Sequence, residues 1–203
     1  MKRLAMNCIR GSAALLFLAA TPVLADNYSP TLYSSAVVDG DPSEWNLVQD
    51  FFANMHRAGR ADKPIESKVY LRYDCLTHIM YVLVLTEPGV PALVDGDAWV
   101  AIDSQNNKLV TDASGDDGVA PDFAFVGIGY DGDPNHAQGY EASFPLAVGN
   151  YQVIVHINVF DDALAQTSAT IGFPGNGPPL VIGCSPLPVA PTTWGRVKSL
   201  VTP

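Results

Sequence analysis

Polar and apolar positions alternate along several stretches of this chain, most clearly in residues 67–87, SKVYLRYDCLTHIMYVLVLTE. Val69, Leu71 and Tyr73 fall on one face of a strand and Lys68, Tyr70 and Arg72 on the other. Such a pattern predicts one face in the core and one in water. Residues 79–85 are apolar on both faces, which predicts a strand inside a sheet and covered on both sides. Asp74, Cys75, Leu76, Thr77 and His78 make the turn between the two strands. The rest of the chain is arranged around this hairpin.

Residues 33–38 have strand character. Gly40 and Pro42 then fix a turn, and Ser43 caps a short helical piece whose buried side comes from Phe51 and Phe52. A polar loop covers 58–64, and a connection covers 88–95. Residues 97–103 read as a strand, with Ala98, Val100 and Ile102 facing one way and Trp99 and Asp103 the other. An Asp- and Gly-rich loop spans 104–121. In the strand 122–129, Phe123 and Phe125 oppose Ala124, Val126 and Ile128. A loop over 130–138 carries Asp131, Gly132, Asp133 and Pro134. In the strand 140–146, Pro145 marks an edge or a bulge. Residues 150–160 form the longest strand: Tyr151, Val153, Val155, Ile157 and Val159 on one face, Gln152, Ile154, His156 and Asn158 on the other. A last strand covers 169–173, and the Pro- and Gly-rich stretch 175–191 is irregular. Trp194, Val197 and Leu200 recur at helical spacing opposite Arg196 and Lys198. They predict a short amphipathic tail over 192–203, either packed on the domain or used for sorting or docking. Many short strands with almost no helical pattern define an all-β protein, an antiparallel β-sandwich in one domain over 26–203.

Residues 1–25 lie outside that domain. Lys2, Arg3 and Arg10 precede a short apolar run at 13–20, and Val23-Leu24-Ala25 offers a small-residue cleavage site. The expectation is a signal peptide, a mature chain starting at Asp26, and a secreted protein, periplasmic or extracellular, with no transmembrane segment. The formal charge of −10 includes those three basic residues, so the mature chain carries about −13. Such a charge disfavours nucleic acid and anionic membrane as partners. Three cysteines are present, and Cys8 leaves with the signal. Cys75 and Cys184 then pair as a disulfide in an oxidising compartment, or remain as two buried thiols.

Four motifs in order resemble the family 9 carbohydrate-binding modules and their DOMON-like relatives. They are Asp39-Gly40-Asp41-Pro42-Ser43-Glu44-Trp45, the hairpin 69–86, the strand and acidic loop 97–107, and Gly139-Tyr140-Glu141-Ala142-Ser143-Phe144-Pro145-Leu146. The resemblance implies a jelly-roll-like sandwich, often with structural calcium, that binds carbohydrate. Some relatives bind haem instead, for which Met55, His56, His78 and Met80 are available.

Three chemistries follow from the residues. Asp39, Asp41 and Glu44 place three carboxylates around a Gly-containing turn, and Asp103, Asp112, Asp116, Asp117 and Asp122 flank one loop. Hard oxygen donors in such loops suit calcium; the alternative is that they cap turns. Trp99, with Tyr70, Arg72, Glu141, Gln152, His156 and Asn158, would give an outward aromatic and planar polar groups for a sugar. The alternative is that Trp99 is covered, as Trp45 is expected to be by packing in the core. Catalysis finds no support: there is no Gly-x-Ser-x-Gly, no zinc-type histidine spacing and no phosphate loop. A secreted, non-catalytic domain is the expectation, its partner a glycan or cell-surface component. A structural or adhesive surface protein and a haem-binding domain are the alternatives.

Overall fold

The structure, a computed structural model, describes residues 34–94, 97–103, 108–161, 164–170 and 179–184. The proposed signal peptide and C-terminal tail lie outside the described residues. Twelve strands are present among those described: β1 (Phe51–Arg57), β2 (Ile65–Asp74), β3 (Ile79–Thr86), β4 (Ala92–Leu93), β5 (Trp99–Ile102), β6 (Lys108–Thr111), β7 (Asp122–Val126), β8 (His136–Ala137), β9 (Gly139–Pro145), β10 (Gly149–Asp161), β11 (Leu164–Thr170) and β12 (Pro179–Ile182). Every pairing is antiparallel, and the hydrogen-bonded order is β6-β5-β10-β11-β1-β2-β3-β9-β7. The long β10 links two layers. It pairs with β5 over Val153–His156 and with β11 from His156 onward.

The hairpin forms as the alternation requires. Its register runs from Ser67 opposite Thr86 to Asp74 opposite Ile79. Asp74 builds the turn, accepting from the Leu76 amide and the Thr77 hydroxyl at 2.8 Å each. β3 lies between β2 and β9, and its two apolar faces enter two different clusters. Met80, Val82 and Val84 join Val69, Leu71, Tyr73, Tyr140, Ala142 and Phe144 against Val100, Val153, Val155 and Ile157 of the other layer. The Tyr140 hydroxyl crosses this core to the carbonyls of Trp99 and His156. Each fully buried aliphatic side chain here contributes on the order of 2 kcal/mol.

Several expectations are corrected. Residues 34–38 form no strand. The helical piece is a single 3-10 turn, Pro42–Glu44, capped by Asp41 rather than Ser43. Phe51 and Phe52 open strand β1, because pairing with β2 and β11 outweighs a weak local helical pattern. The short strands β4, β6, β8 and β12 fall in stretches expected to be loop. β9 is interior, and its Pro145 ends the strand opposite Ile79, so the missing N–H costs little. β11 begins at Leu164, ahead of the expected 169.

Cys75 and Cys184 form a disulfide with Cα atoms 5.7 Å apart and a sequence separation of 109. It ties the end of β12 to the hairpin turn. Among the described residues no helix is long and apolar enough to cross a membrane.

Candidate functional site

The seven side chains expected to share a sugar platform divide between the two outer faces of the sandwich. Tyr70, Arg72 and Glu141 point outward from β2 and β9, opposite the core-facing Val69, Leu71 and Tyr140. That face is not open. Residues 36–50 lie across it as a strap, and Trp45 packs with Tyr70, Leu83 and Val126. Glu141 is fully buried under the strap. Its Oε1 accepts from the Trp45 indole N–H at 2.7 Å, and its Oε2 from the amides of Gly40 at 2.9 Å and Asp39 at 3.3 Å. Burial pushes the Glu141 carboxyl up to about 7, against the pull of these three donors. Arg72 completes the seal. It donates to Asp50 at 2.8 Å and to the Glu44 carbonyl at 2.7 Å, and lies 4.9 Å from the centre of the Trp45 ring. The first and last of the four sequence motifs are therefore partners, the glutamate of one holding the backbone and tryptophan of the other.

Trp99, Gln152, His156 and Asn158 belong to the opposite face, with Gln152 exposed. Trp99 stacks on His156 with ring centres 4.7 Å apart and planes 5° apart. The Lys108 ammonium sits 4.6 Å from the Trp99 ring centre, and the indole N–H donates to Asp97 at 3.0 Å. Trp99 and His156 are each only 5% exposed. The expectation of a single solvent-facing platform is corrected. A period of two tells which residues share a face, but not what covers it.

The acids expected to bind calcium serve the backbone. Asp39 accepts from the Asp41 amide, Asp41 from Ser43, and Glu44 from Val37. Asp103 accepts from the Gln152 amide and Asp122 from Asp117, while Asp116 is exposed. Among the described residues no three His, Cys, Asp or Glu side chains converge as a metal site. Met55 and Met80 are packed in the core. His56 Nδ1 lies 2.8 Å from the Lys63 carbonyl oxygen and His78 Nδ1 3.0 Å from the Tyr73 hydroxyl.

A cleft of about 440 Å³ opens beside the strap, lined by Pro42, Leu85, Thr86, Glu87, Pro88, Gly89, Tyr130 and Gln138. Its walls come from the 3-10 turn, the end of β3 with the residues that follow, the loop after β7, and Gln138 between β8 and β9. Tyr130 stands on a tight turn in which its amide donates to the Gly127 carbonyl, and the residue is 44% exposed. The Thr86 hydroxyl donates to the Gln138 carbonyl, which fixes the two walls together. The Glu87 carboxylate accepts from the Lys68 ammonium at 2.6 Å. Apolar rings beside a few fixed polar groups can stack on a flat ligand and hydrogen-bond its edge. Sequence reasoning missed these residues because they meet only through the fold. The one local signal was an aromatic opening the Asp- and Gly-rich loop 130–138.

These features define an all-β, disulfide-closed sandwich with an open cleft at its rim. No family model, no curated protein and no solved structure matches this chain.

Proposed function

We propose that this chain is an exported, non-catalytic carbohydrate-binding domain, and that its ligand enters the cleft beside the strap. The observation that carries the reading is the exposed Tyr130 ring on a cleft of about 440 Å³ whose other walls hold Thr86, Glu87 and Gln138. A volume of this order suits a small ligand in general. The motif resemblance to carbohydrate-binding modules supports the sugar in particular. The N-terminal pattern of residues 1–25 supports export, and the Cys75–Cys184 bridge fits an oxidising compartment. Titration against a glycan array tests the proposal. Tyr130→Ala should weaken binding about tenfold, the size of one lost stacking contact, while Trp99→Ala should act only through stability. No binding to any glycan, or full binding by Tyr130→Ala, would reject it.

One observation favours a second reading, an adhesive surface. Leu76 at the hairpin tip is 93% exposed, and Val148 beside a neighbouring hollow is 47% exposed. Concentration-dependent self-association in light scattering, abolished by Leu76→Asp, would support that reading.

A further inference from the structure

We infer that the cleft discriminates by charge: it accepts uncharged, hydroxyl-rich sugars, turns away acidic ones, and uses Glu87 to do so. The inference rests on the carbohydrate reading above. Glu87 follows directly on β3 and forms part of the cleft wall. Its partner Lys68 lies on β2, opposite Leu85, and is not among the residues described as lining the cleft. At 2.6 Å the ammonium spends one of its three N–H groups on the carboxylate. The pairing raises the Lys68 pKa, as a directly bonded carboxylate must. The described lining thus contains a carboxylate and no ammonium or guanidinium.

A carboxylate accepts hydrogen bonds and donates none. Sugar hydroxyls donate, so they satisfy the lone pairs of Glu87 that Lys68 leaves over, and such charge-assisted bonds are the strong ones. A uronate or sulfate brought to the same wall meets a carboxylate whose own cation is already bonded to it. The chain's formal charge of −10 acts in the same sense at longer range. Rejection by an opposed like charge is one of the standard ways a site becomes specific.

The test compares matched ligands by calorimetric titration: neutral tetrasaccharides of glucose, mannose and galactose against tetragalacturonate. The wild-type protein should bind at least one neutral tetrasaccharide, and bind tetragalacturonate roughly tenfold or more weakly at low salt. Raising the salt should narrow that gap, because a charge at a partly exposed wall is screened. Glu87→Gln should narrow it as well, mainly by improving tetragalacturonate binding. The salt series on unmodified protein keeps the test decisive should the variant fold poorly. Equal or tighter binding of tetragalacturonate by wild type would overturn this inference and leave the carbohydrate reading standing. So would a gap indifferent to both salt and Glu87→Gln. Failure of every sugar, neutral and acidic, would reject the carbohydrate reading and this inference with it.

Discussion

Glu141 shows how one carboxyl can determine where a whole segment lies. It has no exposed surface, and three N–H groups from the strap converge on its two oxygens. The unfolded chain loses this proton near 4.5 and the folded chain near 7. Between those values the folded state holds more protons, so stability should fall as pH rises through the window and level off above it. The full change is about 3 kcal/mol, from the size of the shift. In Glu141→Gln the amide does not titrate, and the slope should vanish. One side-chain N–H₂ would also face backbone N–H donors, at a further cost of about 1–3 kcal/mol. Urea midpoints at pH 5, 6, 7 and 8 for both proteins check this; an undiminished slope in the variant would assign it elsewhere. The outward direction of Glu141 was legible in the alternation of β9. Its burial was not, because the covering segment lies about a hundred residues away in the chain and carries no periodicity of its own.

At the scale of elements, the glycine of the late motif has a physical reason. Gly139 opens β9 at φ +150°, and a Cβ there would overlap the Val84 carbonyl oxygen of the paired strand β3. Gly139→Ala should cost at least about 2 kcal/mol, measured as a lowered denaturation midpoint with the m-value unchanged. The strap has an ionic clasp as well as an apolar one. The Arg72 and Asp50 side chains are 8% and 0% exposed, and Arg72→Ala would leave the aspartate buried without its cation, at about 3–5 kcal/mol. Thermal melts against Trp45→Phe, which keeps an aromatic ring but loses the N–H to Glu141, would separate the two clasps. The hairpin and the long strand were readable because six or more residues of alternation, or an unbroken apolar run beside a turn, leave little choice. β4, β6, β8 and β12 were not, since two to four residues between Gly, Pro and Asp carry no period to read. β1 was misread because its partners, β2 and β11, make it a strand.

For the whole molecule, stability rests on one interlayer core and one covalent tie. Reduction of Cys75–Cys184 releases a loop of about 110 residues, worth roughly 4–5 kcal/mol in the chain-entropy model. A lower melting temperature under reductant, unchanged in a Cys75→Ser, Cys184→Ser double variant, checks this. Because Asp39, Asp41 and Asp103 each accept from a backbone amide, a chelator should leave the melting temperature where it is; a clear drop would restore calcium as a ligand of the native state.

The same tie makes most of the polypeptide a closed circuit. A single proteolytic nick in an exposed turn such as 131–133 falls inside that circuit. The cut molecule should therefore migrate as one species on a non-reducing gel and part into two only when the sulfurs are separated. A broken backbone would not by itself mean a lost domain.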